Sequence, residues 1–250
     1  MAGGATVIIA IALWEVLSRT QVLPPTAFPS ALETLAELAT LVLTPTFWAA
    51  LRDTVSIAFV GLIIVALIAA PIGMAIGRSR WFERSTLVLV EFLKPIPPVA
   101  LLPLALLFWG PSPTMKIFLV CMGAVWPLLV QISYGARSID TTQLDLARSY
   151  RFGRLKTLRY IVLPSITPFA LNGLRVSASI AIIVAVVAEL IGGAPGLGQQ
   201  VAIAQNSGDL PMMYAYVIVA GLLGLAVNGA FVLLGRPLLF WHASERGKGE

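Results

Sequence analysis

Long apolar runs separated by short charged stretches dominate this chain. A helix needs roughly 20 apolar residues to cross the hydrocarbon core of a bilayer. Six segments approach that length: 4–20, 53–77, 86–109, 114–135, 164–191 and 212–235. The second and sixth are the cleanest, with no charge from Thr54 to Gly77 or from Pro211 to Gly235. The first is shortened by Glu15 and Arg19. It has no basic residue from Met1 to Thr6, so it reads as a short membrane helix rather than a cleaved leader. Leu23-Pro24-Pro25 predicts a turn. Ser30 then opens a modest helix through Leu43, with Leu32, Leu35, Leu38 and Leu41/Val42 opposite Glu33 and Glu37. That amphipathic pattern predicts a helix along the membrane surface. No internal repeat is visible, so residues 1–250 read as a single transmembrane domain. The expected fold is an all-α membrane protein with six transmembrane helices.

Composition sharpens this picture. Of 250 residues, 58% are hydrophobic and 12% charged, far from soluble-domain averages, so lipid must cover the excess apolar surface. A net charge of +5 would suit nucleic acid, but the basic residues cluster between apolar runs, as the positive-inside rule requires. Arg78, Arg80 and Arg84 follow the second run. Arg137, Arg148, Arg151, Arg154, Lys156 and Arg159 follow the fourth, and Arg236, Arg246 and Lys248 end the chain. With six spans and both termini cytoplasmic, all of these share the inner face, leaving Arg19, Arg52 and Lys116 near outer helix ends. The partner this implies is the lipid bilayer, with no nucleic acid. The single Cys121 reads as a small buried hydrophobe, and neither it nor the lone His242 has partners for a metal site.

Three places could carry chemistry. The first is a polar, basic, helix-forming island, Leu144 to Gly153, followed by Leu163-Pro164. Thr142 with Asp145 fits a capping box, and Leu144, Ala147, Phe152 and Leu155 recur near helical spacing. The second is Glu91-Phe92-Leu93-Lys94-Pro95-Ile96-Pro97-Pro98. Two charges three residues apart can offset each other there, and three prolines remove amide donors. Broken backbone at membrane depth is tolerated where protein or a watery cavity satisfies it. A pathway lining or gate and a packed kink both remain open readings. The third is Glu189, before the glycine-rich run Gly192 to Gly198, where it could cap loop amides, gate or touch solute; capping is favoured. Gln131, Tyr134, Asn172 and Asn228 are polar positions in spans whose default role is helix packing, with some, Gln131 among them, open to lining the pathway. There is no phosphate-binding glycine loop of the Walker type and no nucleophile–base pair.

The island resembles the "EAA" coupling motif of permease subunits from binding-protein-dependent ABC importers. Asp145 stands at the acidic position, Ala147 at the second alanine, and Leu163-Pro164 at the family's distance. Leu146 replaces the first alanine, and Arg151 sits where a glycine is expected, with Gly153 two residues later available for the break. On that basis the first helix is expected to run through Arg151 and turn at Gly153. Leu101-Leu102-Pro103-Leu104-Ala105 with Phe108, Val187-Ala188-Glu189, Gly196-Leu197-Gly198, and Leu13-Trp14-Glu15 ahead of Leu23-Pro24-Pro25 are similar to the sulfonate, taurine and nitrate branch.

The resemblance implies a permease subunit of the bacterial plasma (inner) membrane. It works with a second copy of itself, two ATP-binding subunits and an extracytoplasmic solute-binding protein. Leu144, Asp145, Ala147, Arg148, Arg151, Phe152, Gly153, Leu163 and Pro164 would couple to the ATPase. Glu91, Lys94, Pro95, Gln131 and Glu189 are candidates for the pathway or its gate. The chain would bind no cofactor, ATP and Mg residing in the partner. The implied cargo is a small solute such as an alkanesulfonate, taurine, nitrate or a vitamin precursor. An ion-gradient carrier and a membrane scaffold without transport are the rival classes.

Overall fold

The computed structural model of the chain describes residues 2–20, 22, 24 and 26–238. The expected turn at Leu23-Pro24-Pro25 lies largely outside the described residues. So do His242, Arg246, Lys248 and the side chain of Arg236.

Every regular element described is helical: α1 (Ala2–Arg19), α2 (Ala31–Leu41), α3 (Pro45–Arg78), α4 (Arg80–Leu93), α5 (Leu102–Trp109), α6 (Pro113–Arg137), α7 (Thr141–Ser149), α8 (Arg154–Thr157), α9 (Leu163–Gly192), α10 (Leu197–Ser207) and α11 (Leu210–Leu238). A 3₁₀ turn, Pro98–Leu101, precedes α5, and a π turn, Leu158–Val162, joins α8 to α9. Pro164 explains the π turn: it cannot donate to the Tyr160 carbonyl, and its ring would strike that carbonyl in a regular helix. Widening the turn relieves both. The result is one continuous helical element of 39 residues, Arg154–Gly192.

The expectation of six spans is corrected. Among the described residues, four helices are long and apolar enough to cross a membrane: Pro45–Arg78, Pro113–Arg137, Arg154–Gly192 and Leu210–Gly235. A fifth arises if the pair Arg80–Leu93 and Pro98–Trp109, bent by 79°, counts as one span. The segment expected at 86–109 is therefore not a straight helix, because Pro95, Pro97 and Pro98 interrupt its hydrogen-bond ladder. The segment at 4–20 falls short because α1 has 18 residues and ends in polar chemistry. The Glu15 carboxylate accepts from Arg19 Nε (2.6 Å), Ser30 Oγ (2.9 Å) and the Leu32 amide (3.2 Å), which ties the end of α1 to the start of α2. The Arg19 hydrogen bond is the largest influence holding the Glu15 carboxyl below its ordinary range.

The stripe expected along α2 is buried only in its second half, where Leu38 and Leu41 pack inward. Leu32 and Leu35 are exposed, whereas Ala31, Thr34 and Leu41 are buried, because α2 packs beside α11. Trp14, Phe28 and Tyr214 cluster where α1, the loop before α2 and α11 meet.

The centre of the bundle is α3, α6 and α9. Ile57, Val65 and Ala69 of α3 pack with Met115, Leu119 and Ala124 of α6 and with Ala181, Ala185 and Ala188 of α9. Apolar residues gain little by leaving lipid for each other, so close backbone approach through small residues holds such helices together. At Gly77 an added Cβ would stand 2.5 Å from the Ser133 carbonyl oxygen, so only glycine admits that approach of α3 to α6. Ser177 Oγ donates to the Ala124 carbonyl at 2.7 Å, a further tie between α9 and α6. Cys121 is half-buried, with its thiol 3.8 Å from the Gly61 carbonyl.

Candidate functional site

At one end of the bundle α7 and α8 form a knob. α7 starts at Thr141, capped by Asp140, whose Oδ1 accepts from the Thr142 amide at 2.8 Å. The expected Thr142/Asp145 capping box is therefore corrected. An aspartate is the stronger cap, and it starts the helix two residues earlier. Asp145 instead receives Arg148 Nη1 at 2.9 Å.

The end of α7 also differs from expectation. Phe152 N donates to the Ala147 carbonyl (2.8 Å) and Arg151 N to the Arg148 carbonyl (2.9 Å), the paired bonds of a Schellman motif. The residue that must turn left-handed is Arg151, at φ 55°. Gly153 has φ −67° and open space around it, so the break does not move to Gly153. Arginine fills the turn that glycine would fill without strain. Arg151→Gly should stabilise the turn by about 0.5–1 kcal/mol, the roughly 1–2 kcal/mol left-handed strain less the entropy of glycine. Amide hydrogen exchange is the check: protection of the residue 151 and Phe152 amides should rise several-fold.

The apolar stripe expected across the island is split. Leu144 packs on the core and Ala147 is buried, but Phe152 is exposed and Leu155 is 77% exposed, since α7 and α8 are separate helices. Leu146 and Tyr150 are also exposed. Arg78, Arg148 and Arg154 line a cleft with Leu144, Phe152 and Val162. Leu163, which begins α9, is exposed, and Pro164 follows it in the first turn.

The proline break lies deeper. α4 buries none of its side chains, Lys94 is its C-cap, and the chain turns through residues 94–97. Lys94 Nζ stands 3.5 Å from Glu91 Oε1, so the structure brings this pair together on an exposed face. Gln131, half-buried in α6, borders the same cavity as Lys94, together with Gly123, Trp126 and Val176.

At the opposite end from the knob, Glu189 is fully buried. Its Oε1 receives Lys116 Nζ at 3.0 Å; its Oε2 receives Thr54 Oγ1 at 2.8 Å and the Gly198 amide at 3.1 Å. Lys116, only 2% exposed, also donates to the Pro195 carbonyl at 2.5 Å, and the Leu197 amide donates to Thr54 Oγ1 at 2.9 Å. Three spans and the loop 193–196 thus close on one carboxylate, and α10 begins on it. Gly196, at φ 150°, carries no Cβ because one would overlap the Glu189 carboxyl group. The carboxylate thus accepts one backbone amide of the following segment, that of Gly198.

Lys116 and Thr54 were not recognised as partners of Glu189 from the sequence. Lys116 was read as a flank, although a charge inside an apolar run needs a partner, and Glu189 is the acid at the same end of a neighbouring run. Arg175 was also passed over. Its Nε donates to Asn228 Oδ1 at 2.6 Å, linking α9 to α11 midway along the span.

Comparison with known proteins gives a consistent picture. The family model described as "Binding-protein-dependent transport system inner membrane component" matches residues 63–238. The chain is 28% identical over 239 residues to the putative aliphatic sulfonates transport permease protein SsuC of Bacillus subtilis, covering 96% of this chain and 87% of that protein. It is 27% identical over 247 residues to the taurine transport system permease protein TauC of Escherichia coli, covering 95% and 88%. The nitrate import permease protein NrtB of Leptolyngbya laminosa is 28% identical over 169 residues, covering 68% and 61%. Among solved structures, a chain of the MetNI methionine ABC transporter in an inward-facing conformation superposes with a TM-score of 0.67 at 18% identity. It covers 78% of this chain and 98% of its own, which establishes the shared fold.

Proposed function

Since the chain belongs to the family of binding-protein-dependent transport system inner membrane components, we propose that α7 and α8 are its contact with the ATPase and that its cargo is a small oxyanion-bearing solute. The chain is the transmembrane permease subunit of an ABC importer, a multi-pass membrane protein and not itself an enzyme. ATP and Mg belong to the separate ATPase subunit. The family assignment displaces both rivals, the gradient-driven carrier and the scaffold.

The observation that carries the coupling reading is the exposed apolar surface on a short polar knob. Leu146 (59%), Tyr150 (71%) and Leu155 (77%) stand out between Arg148, Arg151 and Arg154. A free-standing cytoplasmic loop has no reason to present these; a groove on a partner does. Leu163 and Pro164 join the knob to α9, so a push on it reaches the spans. Leu146→Asp should abolish co-purification of the ATPase subunit while leaving the permease in the membrane fraction. Retained ATPase at wild-type stoichiometry would end this reading.

The knob and the Arg78–Arg84 turn are cytoplasmic, in line with the basic residues gathered there. With the bent pair counted as one span, five crossings then put Pro45 and the loop 193–208 outside and the end of α11 inside. An odd count removes the reason for expecting both termini on the cytoplasmic side. In a Cys121→Ser background, a single cysteine at Gln205 should react with an impermeant thiol reagent in intact cells and one at Arg154 should not. The reverse pattern would invert the topology.

The complex is read as two copies of this single-domain chain, two ATPase subunits and a solute-binding protein outside. An oxyanion is the chemistry common to the sulfonate, taurine and nitrate named for the relatives. The broken segment at Glu91, Lys94 and Pro95, together with Gln131, belongs to the solute pathway in this reading. Glu189 is assigned to sealing the outer loop.

A further inference from the structure

We infer that the cavity between the proline break and α6 is an oxyanion subsite within the membrane, built from Lys94, Trp126 and Gln131. The inference deepens the transport reading above and rests on it. The cavity measures about 370 Å³, within the roughly 300–1,000 Å³ range of small-molecule sites. It sits at mid-span, since Trp126 is midway along α6 and Val176, on its far wall, is midway along α9.

Its polar side chains offer donors from Lys94, Trp126 and Gln131, with the Gln131 amide oxygen as the one acceptor. Lys94 Nζ gives one hydrogen bond, to Glu91 at 3.5 Å, and no other among the described residues. The Gln131 side-chain amide makes no hydrogen bond among the described residues. Trp126 Nε1 is buried and also without a partner, the one such side-chain atom among the described residues. A buried N–H left unsatisfied costs about 1–3 kcal/mol, so native proteins rarely keep one without a use. Indole nitrogen donates and never accepts, and the residue lines the same cavity as Lys94. The group that satisfies an ammonium, an indole N–H and an amide N–H together is an anion with several acceptor oxygens.

The walls are tuned to stay open. A Cβ on Gly123 would stand 2.9 Å from Pro98 Cγ, so the break packs directly on α6 at the cavity edge. Pro127, next to Trp126, removes a helix hydrogen bond at the same level. The Trp126 N–H is closed to water in this conformation, so the indole must turn toward the cavity for the entering solute to reach it. Gly123 thus joins the site as a packing residue, while Lys94, Trp126 and Gln131 touch the solute.

The test uses the permease purified with its ATPase subunit in lipid nanodiscs, titrated with ethanesulfonate and followed by saturation-transfer NMR of the ethyl protons. Wild type should show saturable binding. Diethyl sulfone, a neutral relative, should bind at least tenfold more weakly. Lys94→Gln should weaken ethanesulfonate at least tenfold and Trp126→Phe three- to tenfold. The phenylalanine variant keeps the ring in place and so separates loss of a donor from loss of folding. Wild-type affinity in both variants, equal binding of the sulfone, or no saturable binding to wild type would each overturn the subsite. Failure of the wild-type chain to bring down an ATPase subunit would instead overturn the transport reading, and the titration of the chain alone would still decide the subsite.

Discussion

Glu189→Ala will cost the folded subunit about 3–5 kcal/mol, the penalty for stranding one member of a buried ion pair. Lys116 would remain almost wholly enclosed with a single carbonyl, that of Pro195, for its charge. The Gly198 amide would lose its acceptor, and Thr54 Oγ1 would lose the carboxylate to which it donates. Thermal unfolding of the detergent-solubilised chain should show a large drop in midpoint, and uptake in cells should fall in step with the amount of assembled protein. Glu189→Gln keeps the shape and two acceptor contacts, so its loss should be smaller. Lys116→Met combined with Glu189→Leu should recover much of the stability, because removing both charges leaves no stranded ion. Normal yield with abolished uptake in Glu189→Gln would contradict the capping role and restore gating. A double variant no better than the single would show that the pair itself is not the source of the loss.

Gly196→Ala should be comparably damaging, by a different route. At φ 150° an alanine is strained, which alone costs about 1–3 kcal/mol. The added methyl would also occupy the space of the Glu189 carboxyl group, so the carboxylate must leave Lys116 and Thr54. Two glycines serve as controls. Gly193→Ala meets no atoms within 4 Å but sits at φ 71°, so it should cost only the roughly 1–2 kcal/mol of left-handed strain. Gly153→Ala has neither obstacle and should be neutral. The order of unfolding midpoints should be Gly153→Ala, then Gly193→Ala, then Gly196→Ala. A Gly196→Ala variant as stable as Gly193→Ala would show that the carboxylate can relocate at no cost.

The bundle was legible because apolar run length is a direct consequence of bilayer thickness. Residues 53–77, 114–135, 164–191 and 212–235 each fall inside an observed spanning helix. Run length fails where a polar end or a proline changes what the run can do. Residues 4–20 become an 18-residue helix tied to Ser30, and 86–109 folds at Lys94–Pro97. The coupling island was visible as polarity in an apolar chain, but its caps were not. Choosing Asp140 over Thr142 depends on where α6 ends, and the left-handed turn at Arg151 is imposed by the bond from Phe152 to Ala147, which no local preference of arginine suggests. The Glu189 site was half legible. The glycines and the acid mark a capped loop, whereas Lys116 lies 73 residues away and Thr54 135, so only tertiary packing joins them.

The continuous element Arg154–Gly192 behaves as a lever. At 1.5 Å per residue its 39 residues extend about 58 Å, nearly twice the thickness of the hydrocarbon core. Its inner end carries α8, beside the exposed knob, and its outer end carries Glu189 and the loop that closes on it. Tilting such a rod by about 5° about its middle moves each end by roughly 2.5 Å in opposite directions. That displacement is close to the 3.0 Å separating Lys116 from Glu189. In the coupling reading proposed above, a tilt that seats the knob would also loosen the outer seal, so one helix would relay force from one face of the membrane to the other.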